Sequence, residues 1–390
     1  MGKIIILNLG STSFKYKLFG EKLVELSAGA VESIGAAQSA CSMSTRGETR
    51  RGTHCCPRHE DAFALCLAFL IESGILTSLE ELGAAGYKAV HCGTISGAQR
   101  VDEVLLEKME RFNSFAPAHN PVYIRMMRTM LKRYPNLRQA ACFETAFHAT
   151  MPLERAVYGV PYEWVEKYGI RRYGFHGSSH SYIAMKMGEL EPAARRVISI
   201  HLGGSSSICA ILDGKSIASS MGCTPQSGLF QNNRVGDFDV FCLQELVEKE
   251  GSLDVVMKKL SDEGGLLGIS GISNDMRKVM EAASQGNERA ELAIGAFADD
   301  IVGYIGMFTA YLNGLDALVF TGGIGQNSAE IRRRVCGRLG YLGVRLDAGL
   351  NEKLRDGKLS GEGSAVKVYA LETNEELMVA RATMQCWGLM

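Results

Sequence analysis

Proline is scarce, with 8 in 390 residues, and neither sign of charge is in excess, with 42 Lys and Arg against 43 Asp and Glu. The charge balance excludes the usual footprint of a nucleic-acid binder, because affinity for a phosphate backbone needs a basic face. Scarce proline beside 44 glycines speaks against low complexity and for tight turns and close backbone approaches. A CxxC pair is also missing. The 11 cysteines are odd in number and scatter from Cys41 to Cys386, and Cys55-Cys56 alone cannot hold a metal. They are expected to be small core residues of a reduced, cytoplasmic protein. The start MGKIIILNLG lacks the apolar stretch of a signal peptide. The longest strongly apolar run, Ile301 to Leu312, is too short to span a bilayer. With hydrophobic residues at 46% and charged residues at 22%, the expectation is a globular chain of two or three domains, without a membrane or nucleic-acid partner.

What is present reads as mixed α/β. Lys3 to Leu7 is a β-branched run that breaks at Asn8 to Ser13, and a second alternating run, Phe14 to Phe19, follows. The same strand, polar turn, strand sequence returns at Arg196 to His201, Gly203 to Ser207 and Ile208 to Leu212, with a further strand at Ser216 to Ser219. Lys88 to Cys92, Ala140 to Phe143, Ala317 to Phe320 and Val366 to Ala370 complete the expected strands. Helices are expected at Asp61 to Gly74, Val122 to Tyr134, Phe238 to Glu250, Ser252 to Glu263, Asn287 to Asn313 and Ser328 to Leu339. The polar, basic stretch from Cys41 to His59 has little periodicity and is expected to be an exposed loop region. The repeated opening predicts two similar domains in tandem, with a cleft between them.

Two familiar nucleotide motifs are absent. There is no GxxxxGK[ST], and Gly323-Ile324-Gly325 lacks the third glycine of a dinucleotide fingerprint, Ser328 standing in its place. Three small-residue turns remain, each directly after a strand: Gly10 to Ser13, Gly203 to Ser207 and Gly322 to Gly325. Such turns bring backbone N–H groups and hydroxyls to an anion. Taken singly each is an ordinary turn, and taken together they point to phosphate. Six of the 8 histidines lie between residues 91 and 201. His176 and His180 have metal-ligand spacing, but the glycine between them and the lack of HExxH argue against zinc. Glu144 follows a buried strand, where a carboxylate needs a partner. Arg234 sits in a loop suited to reach an anion.

At this point a family resemblance is carried by Asn8-x-Gly10-Ser11-x-Ser13-x-Lys15, His119-Asn120-Pro121, Glu144-Thr145-Ala146-Phe147-His148, Tyr173-Gly174-Phe175-His176-Gly177, Gly271 to Asp275, Phe320 to Gly325 and Thr373 to Glu376. Collinear over nearly the whole chain, these motifs resemble acetate kinases. The resemblance implies two duplicated RNase H-like α/β domains of the actin and sugar-kinase superfamily, divided as 1–145 plus 376–390 and 146–375, with an interdomain cleft. It implies transfer of the ATP γ-phosphate to a short carboxylic acid, with Mg²⁺, by a homodimer.

Residue by residue, the resemblance assigns Asn8 and Glu375 to the metal, and Ser11, Ser13 and Lys15 to the first phosphate turn. Glu144, His176 and Arg234 become catalytic, and His201, Gly203, Gly204 and Ser205 the second phosphate loop. Asp275, Met276 and Arg277, with Gly323, Ile324, Gly325, Gln326 and Asn327, become nucleoside contacts. Lys88 becomes the group for the substrate carboxylate, and Val90, Ala118, Phe175 and Pro225 the acyl wall. Several positions depart from the family pattern: Glu144 replaces an Asp, Lys88 an Arg, Gly204 an Asn and Ala118 a Leu, while Gln231-Asn232-Asn233 replaces the family's M-G-T before Arg234. The departures leave open a propionate or butyrate acceptor, another phosphate donor, or a nucleotide-binding module of weakened activity.

Overall fold

The computed structural model describes residues 2–45 and 47–389, and the chain divides into two compact units, Met1–Ala146 with Asn374–Met390, and Phe147–Thr373. Each is described in its own terms.

The first unit holds strands β1 (Lys3–Leu9), β2 (Ser13–Phe19), β3 (Glu25–Glu32), β4 (Ser39–Thr45), β5 (Glu48–His54), β6 (Leu82–Ala89), β7 (Ala98–Arg100) and β8 (Gln139–Phe143). They form one eight-stranded sheet in the order β5-β4-β3-β2-β1-β6-β8-β7. Strands β1 to β5 form an antiparallel meander, whereas β1, β6 and β8 run parallel. Parallel strands covered on both faces read as unbroken apolar runs, and β8 is buried at every position. The helix Glu375–Cys386, from the far end of the chain, covers one face and packs Val379, Ala380 and Met384 against Ile4, Ile6 and Cys142. The helices His59–Glu72 and Asn120–Arg133 contribute Phe63, Leu70, Met126 and Met127 to the other core.

One expectation fails here. Cys41 to His59 is not a loop region: β4 and β5 pair in register from Ser39↔His54 to Thr45↔Glu48. The edge strand β5 is exposed at all seven positions, so neither face demands apolar residues and no alternation marks it. β3 also lacks a strong strand pattern, for a different reason. Its small residues leave room for a neighbour, and a Cβ on Gly29 would lie 2.4 Å from the Tyr16 ring.

The second unit repeats the pattern. Strands β9 (Arg196–Leu202), β10 (Ser206–Leu212), β11 (Lys215–Ser219), β12 (Ala317–Thr321), β13 (Gly357–Lys358) and β14 (Lys367–Ala370) form a six-stranded sheet in the order β11-β10-β9-β12-β14-β13. The first three are an antiparallel meander, and β12 and β14 then run parallel to β9. A meander followed by two parallel strands is therefore common to both sheets.

The longest helix, Glu288–Leu312, is capped by the Asn287 side chain and ends on Asn313 in the left-handed conformation. At 25 residues with mean hydropathy 1.3 over its most apolar window, it is long and apolar enough to cross a bilayer. It begins well before the run Ile301 to Leu312 on which the sequence expectation rested. In this fold it is a core helix, with Ile294, Phe297, Ile301, Ile305 and Phe308 on its buried stripe. The helix expected from Phe238 begins only at Cys242, because Asp239 accepts the Phe241 N–H in a local turn.

Candidate active site

In the first unit, the carboxyl ends of the neighbouring parallel strands bring polar side chains together. Asn8 lies on β1, Lys88 is the penultimate residue of β6 and Glu144 follows β8, its N–H donating to Ala89 O. Glu375 opens the C-terminal helix, whose first turn is held by the Asn374 side chain accepting the Leu377 N–H. Lys88 Nζ donates to Glu375 Oε2 at 2.5 Å and lies 3.9 Å from Glu144 Oε2. Burial alone would lower the Lys88 pKa. The negative charges of Glu144 and Glu375 outweigh it, so the ammonium is held above its ordinary value. Asn8 Nδ2 faces Glu376 Oε1 at 3.5 Å, and Glu376 also lies 3.9 Å from Lys17. The Tyr123 hydroxyl accepts the Leu9 N–H at 2.8 Å and anchors the end of β1.

The turn after β1 is closed by Gly10 N donating to Ser13 O, and Gly10 O bonds to His59 Nε2. Ser11 is exposed, and Lys15 stands exposed on β2 opposite Asn8. Val90 is half-buried and Ala118 is exposed. His91 is a core residue, stacked on Phe112 at 5.0 Å, with Nδ1 accepting the Gly93 N–H.

The second unit gathers four histidines. His176, in the left-handed conformation, caps the helix Gly177–Leu190, and its ring stacks on His201 of β9 at 4.3 Å. His176 Nδ1 bonds to Ser207 Oγ at 2.8 Å, and Ser207 Oγ bonds in turn to His180 Nε2 at 2.8 Å. His180 Nδ1 reaches Ser199 Oγ, and His201 Nδ1 reaches Ser179 Oγ. His148 is buried between Ser216 Oγ and Phe175 O, and burial pulls its pKa down to about 4, opposed by the bond to that carbonyl. His176 and His180 are thus linked through one serine. The β9–β10 turn is closed by Gly203 N donating to Ser205 O. Nothing stands within 4 Å of where a Gly204 side chain would begin, so the turn has room there for a larger residue.

Arg234 Nη1 donates to Ser205 Oγ, Pro225 O and Gln231 Oε1 at 3.2 to 3.3 Å, all neutral acceptors. Burial lowers its pKa, with Asp262 opposing. A half-buried guanidinium held by neutral oxygens is an attractive place for an anion. Phe175 is buried and Pro225 half-buried in the same unit.

The nucleoside candidates lie at two helix starts. Asp275 caps the helix Met276–Ser284 and pairs with Arg277, which brings its carboxyl pKa down to about 2. Met276 is buried, and Arg277 is exposed. The third small-residue turn proves to be a short helix, Gly322–Asn327. Gly322 has φ +76°, and a Cβ there would lie 2.6 Å from Leu202 O, so glycine is required. Gly323 and Asn327 are exposed, with the Asn327 side chain donating to Gly323 O; Ile324 and Gln326 are half-buried and Gly325 is buried. Fully buried Arg332 donates to Gly325 O and Gln326 O and fixes this turn, a support that sequence reasoning missed.

Comparison with known proteins matches residues 3–381 to the acetokinase family model. The chain belongs to the acetokinase family. Named acetate kinases from Bacillus subtilis and Carboxydothermus hydrogenoformans are 41% and 42% identical, each aligned over 98% of both chains. Among solved structures, acetate kinase from Porphyromonas gingivalis superposes with TM-score 0.89 at 36% identity, covering 99% of this chain and 100% of the other. A propionate kinase from Francisella tularensis superposes with TM-score 0.91 at 35% identity over the same shares. The duplicated α/β fold expected from the resemblance is the fold that this acetokinase-family chain adopts.

Proposed function

We propose that this chain is an ATP:carboxylate phosphotransferase that makes an acyl phosphate, with acetate as the default acceptor. The observation that carries this reading is the full-length match to named acetate kinases. One oxygen of the acceptor carboxylate attacks the γ-phosphorus in line, the bond to the β-phosphate oxygen breaks, and ADP leaves with that electron pair. Such a transfer depends on positioning and on positive charge around the equatorial oxygens. His176 and Arg234 serve the transferring group, and Lys88 attracts the acceptor carboxylate as a point charge. Ser11, Ser13 and Lys15 in the first unit, and His201 and Gly203 to Ser205 in the second, are the candidates for the donor phosphates that the resemblance implies. Asp275 to Arg277 and Gly323 to Asn327 are the candidates for the nucleoside, and Val90 and Ala118 in the first unit and Phe175 and Pro225 in the second are those that the resemblance implies for the acyl chain.

For Mg²⁺, the donor set fits. Asn8 turns its amide nitrogen to Glu376, which leaves its oxygen for a cation, and Glu375 adds a carboxylate. Mg²⁺ prefers such hard oxygens, few from protein and the rest from water and phosphate. When bound it would neutralise charge on the donor phosphates. The Lys88 pair competes for the Glu375 carboxylate. The alternative acceptor, propionate or butyrate, is supported by Ala118 in place of a leucine and by the likeness to a propionate kinase.

Exposed Phe238, Val240, Phe241 and Leu253 support a homodimer, which light scattering would test. Packing of the long apolar helix into a core supports a water-soluble enzyme. The function itself is tested by trapping acyl phosphate with hydroxylamine. Hydroxamate from acetate, propionate or butyrate with Mg-ATP is expected, and none from any of the three would overturn the reading.

A further inference from the structure

His176, Ser207, His180 and Ser199 form an unbroken chain of hydrogen bonds, 2.8, 2.8 and 2.9 Å long, and the last three residues are fully buried. A serine hydroxyl has one proton, so Ser207 can donate to only one of its two imidazoles. The chain therefore has two directions. In one, Ser199 donates to His180 Nδ1, His180 Nε2–H to Ser207, and Ser207 to His176 Nδ1, which puts the His176 proton on Nε2. In the other, every donor reverses, His176 carries its proton on Nδ1, and Nε2 can donate only if the ring is cationic.

Three observations disfavour a cationic His176, which leaves the first direction as the one in which Nε2 can donate. His176 sits at the N-terminal end of the helix Gly177–Leu190, where the partial positive charge of the helix disfavours a cation. Its ring stacks at 4.3 Å on His201, another group able to become positive. Burial, with His148 and His201 adding to it, holds His180 well below its ordinary pKa, so the middle of the chain stays neutral. The titratable rings around His176 are His180 on its own helix and His201 on β9, with His148 behind His180 at 5.7 Å. The Arg234 guanidinium is held at Ser205 in the β9–β10 turn.

We propose that Ser207 and His180 are positioning residues that fix His176 as a neutral imidazole with its proton on Nε2, a donor ready for a phosphoryl oxygen. The proposal rests on the reading that His176 faces the transferring group. It adds that no imidazolium is needed, and that a buried histidine outside the reaction sets the tautomer, much as a fixed acceptor sets that of a catalytic histidine elsewhere.

The test uses full-length protein with ¹⁵N-labelled histidine, His176→Gln serving to assign the ring. Long-range ¹H–¹⁵N spectra of the resting protein between pH 6.5 and 8.5 are expected to show His176 protonated on Nε2 and bare at Nδ1. A proton on Nδ1, or on both nitrogens through pH 8, overturns the proposal whatever the enzyme turns over. In kinetics, Ser207→Ala should lower kcat roughly tenfold to a hundredfold, with KM values for nucleotide and carboxylate within about twofold. Ser207→Thr, which keeps the hydroxyl, should recover most of the loss. If Ser207→Ala keeps full kcat while hydroxamate formation persists, the relay has no part in the reaction and the proposal fails, although the kinase reading stands.

Discussion

Lys88 Nζ donates to Glu375 Oε2 at 2.5 Å and stands 3.9 Å from Glu144 Oε2. Two of the positions that depart from the family pattern, Lys88 and Glu144, are therefore neighbours. A shorter cation and a longer acid together keep opposite charges within reach of each other. Because both carboxylates favour the charged lysine, the pair supplies stability that is fully present below the unfolded lysine value of about 10.4 and is lost only above the still higher folded value. The lysine stays charged across the working pH range.

The first prediction is that these two exchanges are coupled. Lys88→Arg and Glu144→Asp, made singly, should each lower kcat/KM for the carboxylate by roughly tenfold, and the double variant should lose less than the product of the two. Coupling between contacting charged groups is commonly about 0.5–3 kcal/mol. A double-mutant cycle on kcat/KM measures it directly, and strictly additive losses would dissolve the link.

Acid sensitivity has a source in His148. Its folded pKa is depressed to about 4 by burial, whereas an unfolded histidine titrates near about 6.5. The unfolded chain takes up a proton that the native state refuses, so stability is full above about 6.5 and is lost as pH falls towards about 4, by up to about 3 kcal/mol from this residue. Urea midpoints of wild type and His148→Asn at pH 7 and pH 4.5 are the measurement. The variant should show the smaller drop, and equal drops would place the acid sensitivity elsewhere.

The sequence revealed some of this and hid the rest for physical reasons. The central strands were legible because burial on both faces leaves an unbroken apolar run, as at Ala317–Thr321. The edge strand Glu48–His54 was not, since none of its residues is buried. The candidate phosphate turns stood out as small residues after strands. The partnership of Lys88 with Glu375 did not, because the two are 287 positions apart and meet only through the return of the last helix. The serine link between His176 and His180 was equally hidden: periodicity placed the two rings four apart, and only the β9–β10 pairing brings Ser207 beside them.

The acyl pocket gives a third prediction. Ala118 is exposed, and the leucine that the family resemblance implies there would supply about three more carbons of wall. Each methylene that an acceptor buries contributes about 0.8 kcal/mol, so propionate or butyrate should be used at least as well as acetate. Ala118→Leu should move the preference back towards acetate by roughly tenfold. The ratio of kcat/KM across the three acids, parent beside variant, decides. A parent that favours acetate by more than tenfold, with the order unchanged in Ala118→Leu, would leave no role for this position.

The most direct measurement of the account as a whole is ³¹P NMR of the intact protein with Mg-ATP and acetate or propionate, following both products at once. ADP and an acyl-phosphate resonance should rise together in equal amounts, and Arg234→Ala should slow both by roughly a hundredfold. ADP appearing with inorganic phosphate alone, at a rate indifferent to the carboxylate and to Arg234, would contradict the account.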